Sequence, residues 1–271
     1  MNLNYPNENI LKKYNVKFSE SINAPEYEEE KNELEIQIEI EYRGEQALFF
    51  IESEFEEEEG TLEKILESTN KIFNKIDYKL DKNGKIESVT NIEEIINKWE
   101  YLRKESFFKL KDENIKEFIF KLNRIINNKY KLMEMMKRFN VMPFIFLGIY
   151  NQEIKKSSPL RLKRKIYNIF PLINIPVQYE IYDESTEKEK IGRFLLKEDE
   201  AFERSEYIKQ VSECYPMKIL SDSGIIKCRK DGKWSYYSFD ENDLLKVMEL
   251  KLSIEVKNLI KYNCIYEIKE R

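Results

Sequence analysis

From Leu34 to Tyr42 every second residue is apolar, and Glu or Gln fills the positions between them. A period of two sends alternate side chains to opposite faces, so this run predicts a half-buried antiparallel strand. Arg43, Gly44 and Glu45 interrupt it. Ala47, Phe49, Ile51 and Phe55 then resume on one face, with Leu48 and Phe50 adding apolar surface to the other. The pair reads as a long hairpin whose second apolar face calls for a covering helix or strand.

The period then lengthens. After Gly60, the residues Leu62, Ile65, Leu66 and Phe73 recur at helical spacing behind Thr61 as a cap. IDYKL alternates again and runs into DKNGKIESVTNIEEIINKW, residues 81–99. Asp81, Asn83 and Gly84 supply the backbone options of a tight turn, and residues 85–90 predict a returning strand. Asn91 is placed to cap a helix, with Glu94 three residues on in the capping-box relation and Ile92, Ile95, Ile96, Trp99 and Leu102 as its stripe. One further helix is expected from Glu113 to Phe139 through Ile119, Leu122, Ile126, Tyr130, Met133 and Met136. VMPFIFLGIY, residues 141–150, is the most apolar stretch and predicts a buried strand or junction segment.

Residues 151–176, with Pro159, Pro171 and Pro176, read as a proline-containing junction carrying a short basic amphipathic helix. Beyond it, PVQYEIYDE and IGRFLLKED are strand-like, and residues 201–211 carry a weaker helical pattern. Asp231-Gly232 predicts the turn of a late hairpin, Asp240 a cap for a short helix, and residues 249–270 two paired strands. This yields an α+β chain of antiparallel twisted sheets packed with central helices. It divides into an N-terminal portion, 1–150, the junction, 151–176, and a mainly β portion, 177–271. A Lys-flanked Asx-Gly turn followed by a strand and then Asn91 or Asp240 occurs in both portions, which suggests two related units.

Composition refines this picture. With 271 residues the chain can bury a core without metals or disulfides, and 36% charged residues imply heavily solvated faces. The net charge of −5 disfavours polyanionic partners in general. Its distribution is uneven, with acidic runs at Glu26–Glu33 and Glu52–Glu59 and a basic run at 155–165. The N-terminus lacks the order of a secretory signal and no apolar run is long enough to span a bilayer, so cytoplasmic residence is the expectation. Cys214, Cys228 and Cys264 are too widely spaced for a metal motif and read as reduced thiols.

Chemistry is constrained most by the absence of histidine, which excludes Ser-His-Asp and Cys-His nucleophiles, His-containing zinc sites and a His proton shuttle. GxxxxGK and GxGxxG phosphate loops are missing as well. Asp81-x-Asn83-Gly84 has Ile92 where a calcium loop needs its last Glu. Neither Glu52 with Glu54 nor Asp240 with Asp243 fixes a carboxylate pair for hydrolysis. No catalytic residue, metal or cofactor is therefore assigned, and the inventory points away from an enzyme. The leading expectation is a protein-interaction module, an adaptor, scaffold or neutralising partner, with Lys155, Lys156, Arg161, Lys163, Arg164 and Lys165 as candidate partner-binding residues. The alternative is a carrier for a small apolar ligand between sheet and helices, with Phe49, Trp99 and Phe118 facing one interior. A nucleic-acid site on the same basic run and a carboxylate hydrolase rank lower.

Overall fold

The computed structural model describes residues 1–24, 27–52, 68–105, 113–137, 141–170, 173–198, 226–228, 235–256 and 260–271. The strands are β1 (Asn9–Ala24), β2 (Tyr27–Arg43), β3 (Gln46–Glu52), β4 (Lys75–Leu80), β5 (Ile86–Val89), β6 (Leu160–Phe170), β7 (Ile173–Asp183), β8 (Lys190–Glu198), β9 (Ile226–Cys228), β10 (Ser235–Phe239), β11 (Leu245–Val256) and β12 (Ile260–Glu270). The helices are α1, described over residues 68–72, then α2 (Ile92–Glu105), α3 (Glu113–Ile126), α4 (Lys129–Lys137) and α5 (Met142–Ile145). The fold is α+β, with a large antiparallel sheet in the order β5-β4-β3-β2-β1-β12-β11-β10-β8-β7-β6 and β9 paired to β11.

The chain separates into two compact units, and the long strands β1 and β2 contribute to both. One comprises residues 4–14, 36–151 and 271, the other 1–3, 15–35 and 152–270. In the first, cross-strand rows Ile40–Phe49–Ile76 and Tyr42–Ala47–Tyr78–Val89 fall on one face, and each of these side chains is buried. Helices cover that face. The Tyr78 hydroxyl donates to the Met136 carbonyl of α4 at 2.9 Å. Trp99 of α2 is fully buried and donates from its indole Nε1 to Asn123 Oδ1 of α3 at 2.9 Å. Phe49 is fully buried too, while the side chain of Phe118 lies outside the described residues.

The turn expected at Asp81–Gly84 is present. Asp81 Oδ1 accepts the backbone N–H groups of Asn83 and Lys85, each at 2.9 Å, and Gly84 adopts φ +78°. A β-carbon on Gly84 would overlap the Tyr150 ring, so two independent demands select glycine here. Helix α2 starts after Asn91, but that side chain is turned elsewhere. Its Oδ1 accepts Asp77 N–H at 2.9 Å and its amide donates to Lys75 O at 3.1 Å. Asn91 thus extends the β5 side of the β4–β5 ladder in the manner of one more strand residue.

Four other expectations are corrected. The helix expected over 113–139 divides into α3 and α4, because Asn128 caps the second one: its Oδ1 accepts Lys131 N–H at 3.1 Å. The restart rotates the apolar stripe, burying Leu132 and Met136 and leaving Tyr130 exposed. VMPFIFLGIY forms the short helix α5 and a buried turn, with Pro143 at the start of the helix where its missing N–H costs nothing. The basic stretch is a strand, not a helix, since Leu160, Leu162, Arg164 and Ile166 alternate with Arg161, Lys163 and Lys165. Finally, Asp240 caps no helix. It accepts N–H from Asn242 and Leu244, each at 2.9 Å, in a turn that leads into β11. The Asp231-Gly232 turn, residues 201–211, the start of the 61–73 helix and Cys214 lie outside the described residues.

In the second unit the ladders repeat those of the first. Tyr42–Ala47–Tyr78–Val89 corresponds to Asp183–Gly192–Tyr237–Met248, and Ile40–Phe49 corresponds to Ile181–Phe194. The register shifts coincide as well, between Lys79 and Leu80 in one copy and between Ser238 and Phe239 in the other. Beyond them lie the same turns, D-K-N-G-K at 81–85 and D-E-N-D-L at 240–244, with positive φ at Gly84 and at Asp243 (+64°). The related halves anticipated from sequence are matched here through Asp240, not through Asp231-Gly232. The terminal strands β11 and β12 pair antiparallel, as expected.

Candidate docking surface

The six basic candidates are distributed by the pleat of β6. Lys155 and Lys156 precede the strand and are exposed, with Lys155 Nζ 2.8 Å from Glu153 Oε2. Arg161 and Lys163 stand exposed on one face, and Lys165 takes the next position in that register. Arg164 falls on the other face, half-buried, and donates from Nη1 to the carbonyl of Lys163 at 2.9 Å. The Lys165 side chain is outside the described residues. In the strand order β6 is terminal, where a row of cations also discourages pairing with a like strand.

Arg161 lies opposite Glu180 of β7, with Nε 3.3 Å from Oε1. The carboxylate is 2% exposed, the arginine side chain 65%. Tyr182 donates its hydroxyl to Glu180 Oε2 at 3.1 Å, and the Arg193 guanidinium sits 5.5 Å from the Tyr182 ring centre while pairing with Glu184 at 2.8 Å. Tyr236, opposite Arg193, keeps partial exposure on the same face. Sequence reasoning did not single out Glu180, Tyr182 or Arg193; their signal is the polar phase of the QYEIY alternation. The opposite face of this sheet is apolar, with Leu162, Tyr179, Ile181, Phe194 and Tyr237 buried. Burial raises the pKa of both Tyr179 and Tyr237, so each phenol stays protonated and serves packing, not proton transfer.

A concave feature lies in the other unit. Ser68, Lys71 and Ile72 of α1 face Glu94, Asn97, Lys98, Tyr101 and Leu102 of α2 across an open groove of about 780 Å³. The α2 members recur every three or four residues, which puts them on one side of the helix. Tyr101 is 71% exposed at its rim, while Lys98 pairs with Glu94 at 2.8 Å.

Asp240 serves its turn, Asp243 is ion-paired with Lys190, and Glu54 lies outside the described residues. Among the described residues no group of three metal-ligating side chains converges, and no helix is long and apolar enough to cross a membrane. Cys264 is a buried thiol outside any disulfide among the described residues. No protein-family model and no curated protein matches the chain.

Proposed function

We propose that the protein is a non-enzymatic cytoplasmic interaction module, an adaptor or neutralising partner that docks another protein in the groove between α1 and α2. The observation that carries this reading is the exposed Tyr101 at a concave surface whose lining includes Ile72 and Leu102. Tyrosine combines a large apolar body with a polar tip and loses little rotamer entropy on binding, which is why such residues anchor interfaces. Lys71, Lys98 and Glu94 at the same groove orient a partner more than they tighten it.

A photo-crosslinking residue placed at Tyr101 tests the reading, with the equally exposed Tyr130 outside the groove as control. One defined adduct from Tyr101, absent from Tyr130 and lost on Lys98→Glu, is the expected result. Identical adduct patterns from both positions in folded protein would refute the groove as the docking site.

A further inference from the structure

We infer that the outward face of β6 is a second recognition surface, one that reads acidic groups spaced along an extended segment of a partner protein, with Arg161 as its selective element. The inference does not depend on the groove, which lies in the other unit. Arg161 lies in ion-pair range of a buried carboxylate, with Nε 3.3 Å from Glu180 Oε1, and this is its one polar contact among the described residues. A guanidinium paired on its Nε side still presents its terminal nitrogens as a fork, the geometry that takes a carboxylate by two parallel hydrogen bonds. The Tyr182 hydroxyl on the far oxygen of Glu180 restrains the carboxylate that positions the fork.

Lys163 stands two residues along on the same face. Same-face positions repeat every 6.5–7 Å or so in a strand, which is also the spacing of alternate residues in an extended peptide. An acidic strand-like segment with Glu or Asp at every second position therefore matches the row. A like, basic strand is repelled by it.

The first unit supplies an internal comparison. Lys13 on β1 is ion-paired with Glu39 on β2, the counterpart of Glu180 on β7. Lysine keeps the ion pair there but offers no fork, and its carboxylate is 18% exposed, against 2% for Glu180. Arg161→Lys is thus a substitution the framework already accommodates, and it separates charge from geometry.

The experiment is fluorescence anisotropy at low salt with the full chain and a labelled ten-residue peptide of alternating Glu and Ser. A same-composition peptide with its glutamates contiguous and a single-stranded oligonucleotide complete the set. Saturable binding of the alternating peptide, weakened about tenfold by Arg161→Lys and unchanged by Lys13→Ala, is expected. Equal affinity for the contiguous peptide, or no difference between wild type and Arg161→Lys, would overturn the proposal. Tighter binding of the oligonucleotide would overturn it in favour of phosphate-backbone contacts. Circular dichroism of each variant confirms that a loss of binding is not a loss of fold.

Discussion

Tyr78 and Tyr237 occupy the same place in two copies of one strand arrangement, each opposite a small residue, Ala47 or Gly192, and each two residues before the bulged end of its strand. Both rings are buried, yet their hydroxyls differ. Tyr78 donates to the Met136 carbonyl, whereas the Tyr237 hydroxyl has no hydrogen-bond partner among the described residues. Removing a bonded hydroxyl leaves a buried carbonyl unpaired, and removing an unbonded one relieves a desolvation cost. Tyr78→Phe should therefore destabilise the protein by about 1–2 kcal/mol and Tyr237→Phe should stabilise it by up to about 1 kcal/mol. Urea unfolding of the two variants against wild type gives the comparison, and changes of the same sign would contradict this account.

Glycine positions test the turn in the same way. Gly44 and Gly84 both have positive φ, but a β-carbon at Gly44 would meet nothing within 4 Å. Gly44→Ala should cost only the conformational term, about 1 kcal/mol. At Gly84 the added methyl meets the Tyr150 ring and lies 3.2 Å from Tyr5 as well, so Gly84→Ala should cost an additional 1–3 kcal/mol or so through overpacking. Thermal unfolding with equal losses for the two would show that Tyr150 moves aside freely.

The alternation of residues 34–51 disclosed β2 and β3 because Ile38, Ile40, Tyr42, Ala47 and Phe49 are buried on one face while Glu39, Glu41 and Phe50 on the other are not. Trp99 was legible as core for a similar reason, sharing its helical face with Ile95. β1 went unread although Tyr14, Val16 and Phe18 alternate, because Lys12, at the head of that row, is itself a buried position and blurs the pattern. The basic stretch misled for a physical reason: Leu162, Arg164 and Ile166 carry a two-residue period, but an arginine sits on the apolar phase. The docking elements were the least visible. Glu180 reads as an ordinary polar strand residue until its pairing with Arg161 is seen, and the groove depends on how α1 lies against α2, which no local pattern encodes.

Asp183 links stability to pH in the second unit. Burial works against its ionisation, but hydrogen bonds from the N-terminal ammonium and from Ser185 outweigh it and hold the pKa below its ordinary value. A carboxylate depressed in the folded state contributes stability that is present above its unfolded pKa, about 3.9, and is lost as pH falls through the folded value. Asp183→Asn should lower stability at neutral pH and flatten that acid limb of the profile. Parallel urea midpoints between pH 2 and 7 or so would check it. A variant curve merely offset from wild type at every pH would assign the effect to packing.

Asn91 gives a test in which two roles predict opposite outcomes. At a helix N-cap, aspartate serves as well as asparagine, because only a side-chain acceptor is needed and the negative charge suits the helix start. Asn91 instead uses both ends of its amide, accepting from Asp77 N–H and donating to Lys75 O. Asn91→Asp keeps the acceptor, loses the donor and turns a carboxylate oxygen towards a carbonyl oxygen. It should destabilise the protein by about 1–2 kcal/mol, while Asn91→Ala, which loses both bonds without that repulsion, should cost a similar amount. Hydrogen exchange at Asp77 N–H separates the substitutions further: its protection should survive in Asn91→Asp and fall in Asn91→Ala. Unchanged stability in Asn91→Asp would return the residue to a simple cap.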